Sequence, residues 1–159
     1  MKKIITSSGL AILLDNEDYD RFSKWTWYAY KHRRQPRYAY RLEINNGITK
    51  KFFLHKEIMN CSSGQTIDHI NGNEHDNRKS NLRFCTPQQN AWNSRIRPDN
   101  KSGFKGVSWC KAANKWKATI TFNKVEDYLG VYSDKITAAK AYNEAARKHF
   151  GEFAWLNPI

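Results

Sequence analysis

Cysteine is scarce and badly placed for cross-linking: Cys61, Cys85 and Cys110 are odd in number, scattered and in no paired spacing. That excludes a zinc ribbon and argues against a disulfide scaffold. No apolar run approaches the roughly 20 residues that a membrane-spanning helix needs. The N-terminus also lacks a signal-peptide apolar core. The expectation is a soluble, cytoplasmic protein with no membrane partner. Acid is the other scarcity, with 15 Asp and Glu against 27 Lys and Arg, a net charge of +12. From Arg21 to Leu42 there are seven basic residues, Arg33, Arg34 and Arg37 among them, and no acid. From Lys101 to Lys124 there are six lysines and again no acid. Basic runs are commonly solvated faces, but two acid-free stretches flanking a hydrolytic motif read better as clamps on a phosphate backbone.

That motif lies between Ile67 and Asn93, in IDHINGNEHDNRKSNLRFCTPQQNAWN. Asp68 and His69 stand ahead of Asn81 and Asn90, with eleven residues between His69 and Asn81 and eight between Asn81 and Asn90. A carboxylate, an imidazole and carboxamides at that spacing suit a hard divalent ion held beside a general base, a combination that hydrolyses phosphodiesters. Thr66 to Ile70 reads as a short strand ending in the turn Asn71-Gly72-Asn73. Glu74 to Ser80 reads as a loop and Leu82 to Cys85 as a second strand. Thr86 then serves as N-cap, Pro87 as the first helical residue and Gln89 as the capping-box partner. This is strand, loop, strand, helix, and it brings Asp68 and Asn90 together.

Asp68 and Asn90 offer two oxygen ligands, few for a cage but ordinary for Mg²⁺, which keeps waters and takes substrate phosphate oxygens; Mn²⁺ is the alternative ion. His69 has the chemistry of a general base near neutral pH, although strand alternation points it away from Asp68 unless the strand is bulged or twisted. Asn81 is assigned to tie the loop to the second strand and so hold His69.

The stretch resembles the HNH motif of phage and intron-encoded homing endonucleases, the ββα-metal fold. Asp68-His69 matches the opening pair, Asn81 the middle Asn and Asn90 the closing metal-ligand position. The upstream His-containing helix around Leu54 to Met59 is also similar, with His55 given no catalytic role. The resemblance implies metal binding by Asp68 and Asn90, and deprotonation of the attacking water by His69.

The C-terminal third supplies a second pattern. Residues from Ser102 to Trp109, Lys115 to Thr121 and Tyr128 to Tyr132 read as three strands, with Trp116, Ala118 and Ile120 on one face. An alanine-rich helix from about Lys135 to His149 follows, capped by Asp134 or Ser133 and ended by Gly151. This segment resembles the Apetala-two/ethylene-response-factor DNA-binding domain. Gly106-Val107, Trp116, Leu129-Gly130, Ala138-Ala139, Ala141-Tyr142, Phe150-Gly151 and Leu156-Asn157 carry that resemblance. In that family the sheet enters the DNA major groove, which implies contacts from Lys105, Ser108, Lys115, Lys117, Thr119, Thr121 and Tyr128. Lys, Ser and Thr stand where the plant domains use several arginines.

At the other end, Ile4 to Thr6 and Leu10 to Leu14 read as a hairpin, and Asp15 to Tyr19 as a turn into a short helix. The alternation of Trp25, Trp27, Tyr38 and Tyr40 suggests strands that bury one aromatic face. The expected fold class is therefore α+β: a β-rich region (1–60), the ββα-metal unit (61–94), a linker (95–101), and a sheet-plus-helix domain (102–159). The expected activity is that of a site-recognising, metal-dependent endonuclease acting on double-stranded DNA as a monomer. The alternative is a non-catalytic DNA-binding protein or regulator whose hairpin is only structural.

Overall fold

A computed structural model describes residues 1–32 and 35–159, with the side chains of 31–37 left out of the description. The chain divides into two compact units, Met1–Pro87 and Gln88–Ile159. Both are mixed in α and β structure. No described helix is long and apolar enough to cross a membrane.

The first unit opens with the antiparallel pair β1 (Lys2–Ile5) and β2 (Ala11–Leu14), followed by α1 (Asn16–Phe22). Next comes an antiparallel sheet of β3 (Tyr28–His32), β4 (Gln35–Asn45) and β5 (Ile48–Phe53), in that order. Asn46 and Gly47 join β4 to β5, both at positive φ (49° and 76°), as a two-residue hairpin of this twist requires. The short helix α2 (Leu54–Ile58) leads to a last hairpin, β6 (Thr66–His69) with β7 (Leu82–Cys85). Ile4, Ile12, Leu14, Phe22, Trp27, Ala39, Leu54, Ile58, Ile67 and Leu82 form one core, drawn from β1, β2, α1, β4, α2, β6, β7 and the residue before β3.

The expected buried aromatic face is not what forms. Trp25 and Trp27 precede β3. Trp27 is buried and donates from Nε1 to the Phe22 carbonyl at 3.0 Å, whereas Trp25 is exposed beneath the Arg41 guanidinium, 4.5 Å away. It is Ala39 and Arg41 of β4 that turn inward, and the tyrosines of β3 and β4 take the opposite face. Arg41 donates to Glu57 from Nε and Nη2, both at 2.8 Å, and so fixes α2 against the sheet.

In the second unit, β8 (Val107–Cys110), β9 (Lys115–Phe122) and β10 (Val125–Tyr132) form an antiparallel sheet in the order β10-β9-β8. Helix α4 (Lys135–Phe150) lays Ala138, Ala139, Tyr142 and Ala146 against it. Asp134 caps that helix, accepting from the backbone nitrogens of Ile136 and Thr137 at 2.9 and 2.8 Å. Gly106 sits where Tyr142 crosses the sheet: a Cβ there would lie 2.0 Å from the ring, and its φ is +73°. Asn143 and Asn157 clasp the C-terminal segment, exchanging side-chain and backbone bonds at 2.7 and 3.0 Å.

Residues 95–101, expected to be a linker, carry no helix or strand and are mostly exposed. The unit boundary falls after Pro87, the first residue of α3 (Pro87–Trp92), rather than at 95–101. Trp92 stacks on Phe150 with centroids 4.8 Å apart, and Lys105 Nζ donates to the carbonyls of Trp92 and Ser94 at 2.6 and 2.8 Å.

Candidate active site

The hairpin of β6 and β7 is short, and its position is set by what holds the loop between its strands. Residues 70–81 cannot bury a core of their own, so their backbone is tied elsewhere. Leu13 of β2 donates to the His75 carbonyl at 2.8 Å and accepts from Asn77 N at 2.9 Å, and Asp15 accepts from Lys79 N at 2.9 Å. Inside the loop, Asn and Asp side chains replace a backbone ladder. Asn71 Oδ1 accepts from Asn73 N at 2.8 Å, and Asn81 Oδ1 accepts from Asn71 N at 2.9 Å. Asn81 Nδ2 donates to the Asp76 carbonyl at 2.7 Å. Asp76, almost fully buried, is gripped by Arg78 at 2.7 and 2.6 Å, and that pairing holds its carboxyl below the usual carboxylate range.

Asn81 thus bonds at two points of the loop, and Asn77 is a side chain that meets the His69 ring. His69 Nε2 lies 3.3 Å from Asn77 Oδ1, and Asn77 is 1% exposed. Asn77 Nδ2 donates to the Glu74 carbonyl at 3.1 Å, so its oxygen is the acceptor towards the imidazole. That orientation puts the ring proton on Nε2 and the basic lone pair on Nδ1. His69 is 4% exposed; burial lowers its pKa below the ordinary imidazole value, against the opposing pull of Asn77, Glu74, Asp68 and Asp76. The ring is thus neutral near pH 7, as a proton acceptor must be.

His55 packs edge-on to His69 with centroids 5.5 Å apart, and beside Tyr38 and Phe53 at 5.1 and 5.9 Å. Burial first, then the neighbouring His69 and Lys56, push His55 down to about 3. It is a buried, neutral aromatic side chain beside His69.

Asp68 pairs across the hairpin with Arg83, and His69 with Leu82, with no register shift between them. Asp68 and His69 consequently take opposite faces of the strand. Asp68, 5% exposed, accepts on Oδ2 from Arg83 Nε and Nη2 at 3.0 and 2.8 Å. This cross-strand arginine, which sequence spacing alone did not single out, orients the carboxylate.

Among the described residues no three His, Cys, Asp or Glu side chains converge as a metal cluster. Of the expected ligands the first unit holds Asp68, and a carboxylate oxygen suits a hard cation that accepts few protein oxygens and fills its shell with water and phosphate. Asn90, the second expected ligand, is exposed on α3 and belongs to the second unit, while Asp68 belongs to the first.

The expected DNA-contact residues separate into groups. Ser108, Lys115, Lys117, Thr119, Thr121 and Tyr128 share the sheet face opposite Val107, Ala118 and Ile120. That face is not free of acid, because Glu126 pairs with Thr121 in register and lies 3.8 Å from Lys117. Lys105 does not join it: its ammonium is committed to the two carbonyls already described, and burial lowers its pKa to about 8. Arg33 and Arg34 lie outside the described residues, and Arg37 is described in its backbone alone.

With the geometry in place, comparison with known proteins adds the following. The profile of a family described as HNH endonuclease matches residues 61–92. Protein 3.8 of Escherichia phage T7 is 43% identical over 58 residues, covering 36% of this chain and 48% of that protein. An uncharacterised HNH endonuclease of Acanthamoeba polyphaga mimivirus is 33% identical over 143 residues, covering 86% of this chain and 69% of its own length. The chain thus spans about half the length of the phage protein. No solved structure matches it.

Proposed function

The chain belongs to the HNH endonuclease family, and from that premise we propose that it is a metal-dependent endonuclease hydrolysing phosphodiester bonds of double-stranded DNA. The observation that carries the reading is His69 itself: a buried, neutral imidazole whose tautomer is set by Asn77, one residue from a buried carboxylate. In this role His69 takes a proton from water, and Asn77 holds the ring. Asn81 acts at one remove, holding the loop that carries Asn77.

Asp68 and Asn90 are the oxygen donors that would hold Mg²⁺ or Mn²⁺. Such an ion, when bound, supplies stabilisation of negative charge on the phosphate and leaving oxygens. Arg83 keeps the Asp68 carboxylate aimed. The opposite-face placement of Asp68 and His69 suits this division of labour. In-line displacement at phosphorus puts the attacking and leaving oxygens on opposite sides, so the proton acceptor and the metal-holding carboxylate need not share a face.

The basic face of the second unit's sheet (Ser108, Lys115, Lys117, Thr119, Thr121 and Tyr128) is the proposed major-groove contact, in the manner of an Apetala-two/ethylene-response-factor domain. Target preference of the homing type, and action as a monomer, are part of the same proposal. Supercoiled plasmid incubated with the full chain tests the metal requirement. Nicked or linear product is expected with Mg²⁺ or Mn²⁺ and none in excess EDTA. Undiminished cutting in EDTA overturns the metal-dependent reading.

A further inference from the structure

The β3-β4-β5 sheet of the first unit has two unlike faces. One packs Ala39 and Arg41 inward. The other carries Tyr28, Tyr30, Tyr38, Tyr40 and Phe53, which cross-strand register makes neighbours: Tyr28 opposite Tyr40, Tyr30 opposite Tyr38, and Tyr40 opposite Phe53. Their rings touch in series, Tyr28 to Tyr40 at 5.7 Å, Tyr30 to Phe53 at 5.8 Å and Tyr38 to Phe53 at 6.2 Å. Mutual packing holds the rings in place, yet Tyr28 and Tyr30 each remain 37% exposed.

Two further observations say what covers this face. The first is charge. The Lys51 ammonium lies over the Tyr30 and Tyr40 rings at 5.1 and 4.5 Å, and the described residues of this face include no acid. Rings interleaved with a cation match a nucleotide strand, which presents flat bases and phosphates at short intervals. The second is continuity. The array runs into the candidate active site, where Tyr38 lies 6.1 Å from His69 and 5.1 Å from His55. A strand whose phosphate is at His69 has its next nucleotides within reach of these rings.

The geometry points to a stacking platform: the tyrosine face receives unpaired bases next to the scissile phosphate, and the preferred substrate is duplex DNA with a locally unpaired stretch. This rests on the nuclease reading above and narrows its substrate. In a fully paired duplex the bases are stacked on each other, and exposing them to the rings requires unpairing, which is unfavourable. An already unpaired stretch avoids that cost, so the platform makes itself visible as a preference between two DNA forms.

The test uses the full chain in EDTA, where no cleavage occurs, and fluorescence anisotropy with two labelled probes. One is a fully paired duplex and the other is the same duplex with a short single-stranded gap. The gapped probe is expected to bind more tightly by about 5- to 150-fold, the range that stacking of one base represents. Y28S/Y30S should erase that preference while leaving paired-duplex affinity in place, and Y28F/Y30F should keep it because the rings remain. Y28L/Y30L, which retains apolar bulk, gives the same reading should the serine variant fail to fold by circular dichroism. Equal binding of both probes by the native chain overturns the platform and leaves the nuclease reading standing, as does a preference that survives the leucine variant. A native chain that binds neither probe removes both. If Y28L/Y30L instead converts a dimer to a monomer in sedimentation with DNA binding unchanged, the face belongs to a second copy and the platform is wrong.

Discussion

The burial of His55 makes a quantitative demand on stability. In the unfolded chain its imidazole titrates near 6.5, and in the folded protein at about 3. The folded pKa is the lower one, so the unfolded state binds the proton more readily. Stability is therefore fully present above the unfolded value, falls as pH drops below it, and levels off once the folded value is passed. Between about pH 7.5 and about pH 5 the loss from this one residue is about 2 kcal/mol, at 1.36 kcal/mol per pKa unit. His69 is shifted in the same direction and adds to the slope. Urea unfolding of the native chain and of His55→Phe at the two pH values isolates the effect, because the packing change made by the substitution is common to both pH values. The ring of Phe suits the site, between Tyr38 and Phe53. The native chain is expected to lose about 2 kcal/mol more than the variant on acidification. Equal losses would refute the assignment of His55 as a buried neutral side chain.

Other expectations follow from single contacts. Asn77→Ala removes the acceptor facing His69 and leaves the Glu74 carbonyl without its donor; a stability loss of about 1–3 kcal/mol by urea unfolding is expected, with cleavage reduced even where the chain is folded. Arg83→Met takes the cross-strand partner from buried Asp68 and should cost about 3–5 kcal/mol by the same measurement, whereas Asp68→Asn combined with Arg83→Met should recover part of it. Lys115→Gln with Lys117→Gln should flatten the slope of log affinity against log salt by roughly 0.9 per lost phosphate contact, measured by anisotropy titrations in EDTA. An unchanged slope would remove the second unit's sheet from the DNA interface.

Local chemistry was legible wherever it decided local structure. The run from Thr66 to Cys85 announced its two strands, and Pro87 announced the helix that follows. Asp134 and Gly151 bracketed the last helix within a residue of its observed ends. What sequence could not decide was which side of a pattern would be covered. Alternation grouped Trp25 and Trp27 with Tyr38 and Tyr40 as a buried aromatic face, but both tryptophans precede β3, and which face of β4 met the core depended on Ala39, Arg41 and the distant Glu57. The segment after Trp92 is punctuated by Pro, Gly and polar residues, and nothing in its pattern signalled that Trp92 would stack on Phe150 or that Lys105 would bond the Trp92 and Ser94 carbonyls. Asn77 was hidden among three other Asn and Asp residues between Asp68 and Asn81. Their density signalled a loop built from side-chain bonds, and only the fold shows which of them meets His69.

His69 as the proton acceptor in a metal-assisted cut is tested most directly by His69→Ala. Supercoiled plasmid cleavage with Mg²⁺ and duplex affinity in EDTA are measured on the full chain and on the variant. The account predicts a fall in cleavage rate of roughly 10²–10⁴-fold with affinity unchanged, since a general base acts on the chemical step and not on binding. A His69→Ala chain that cuts at the native rate under saturating Mg²⁺ would contradict it.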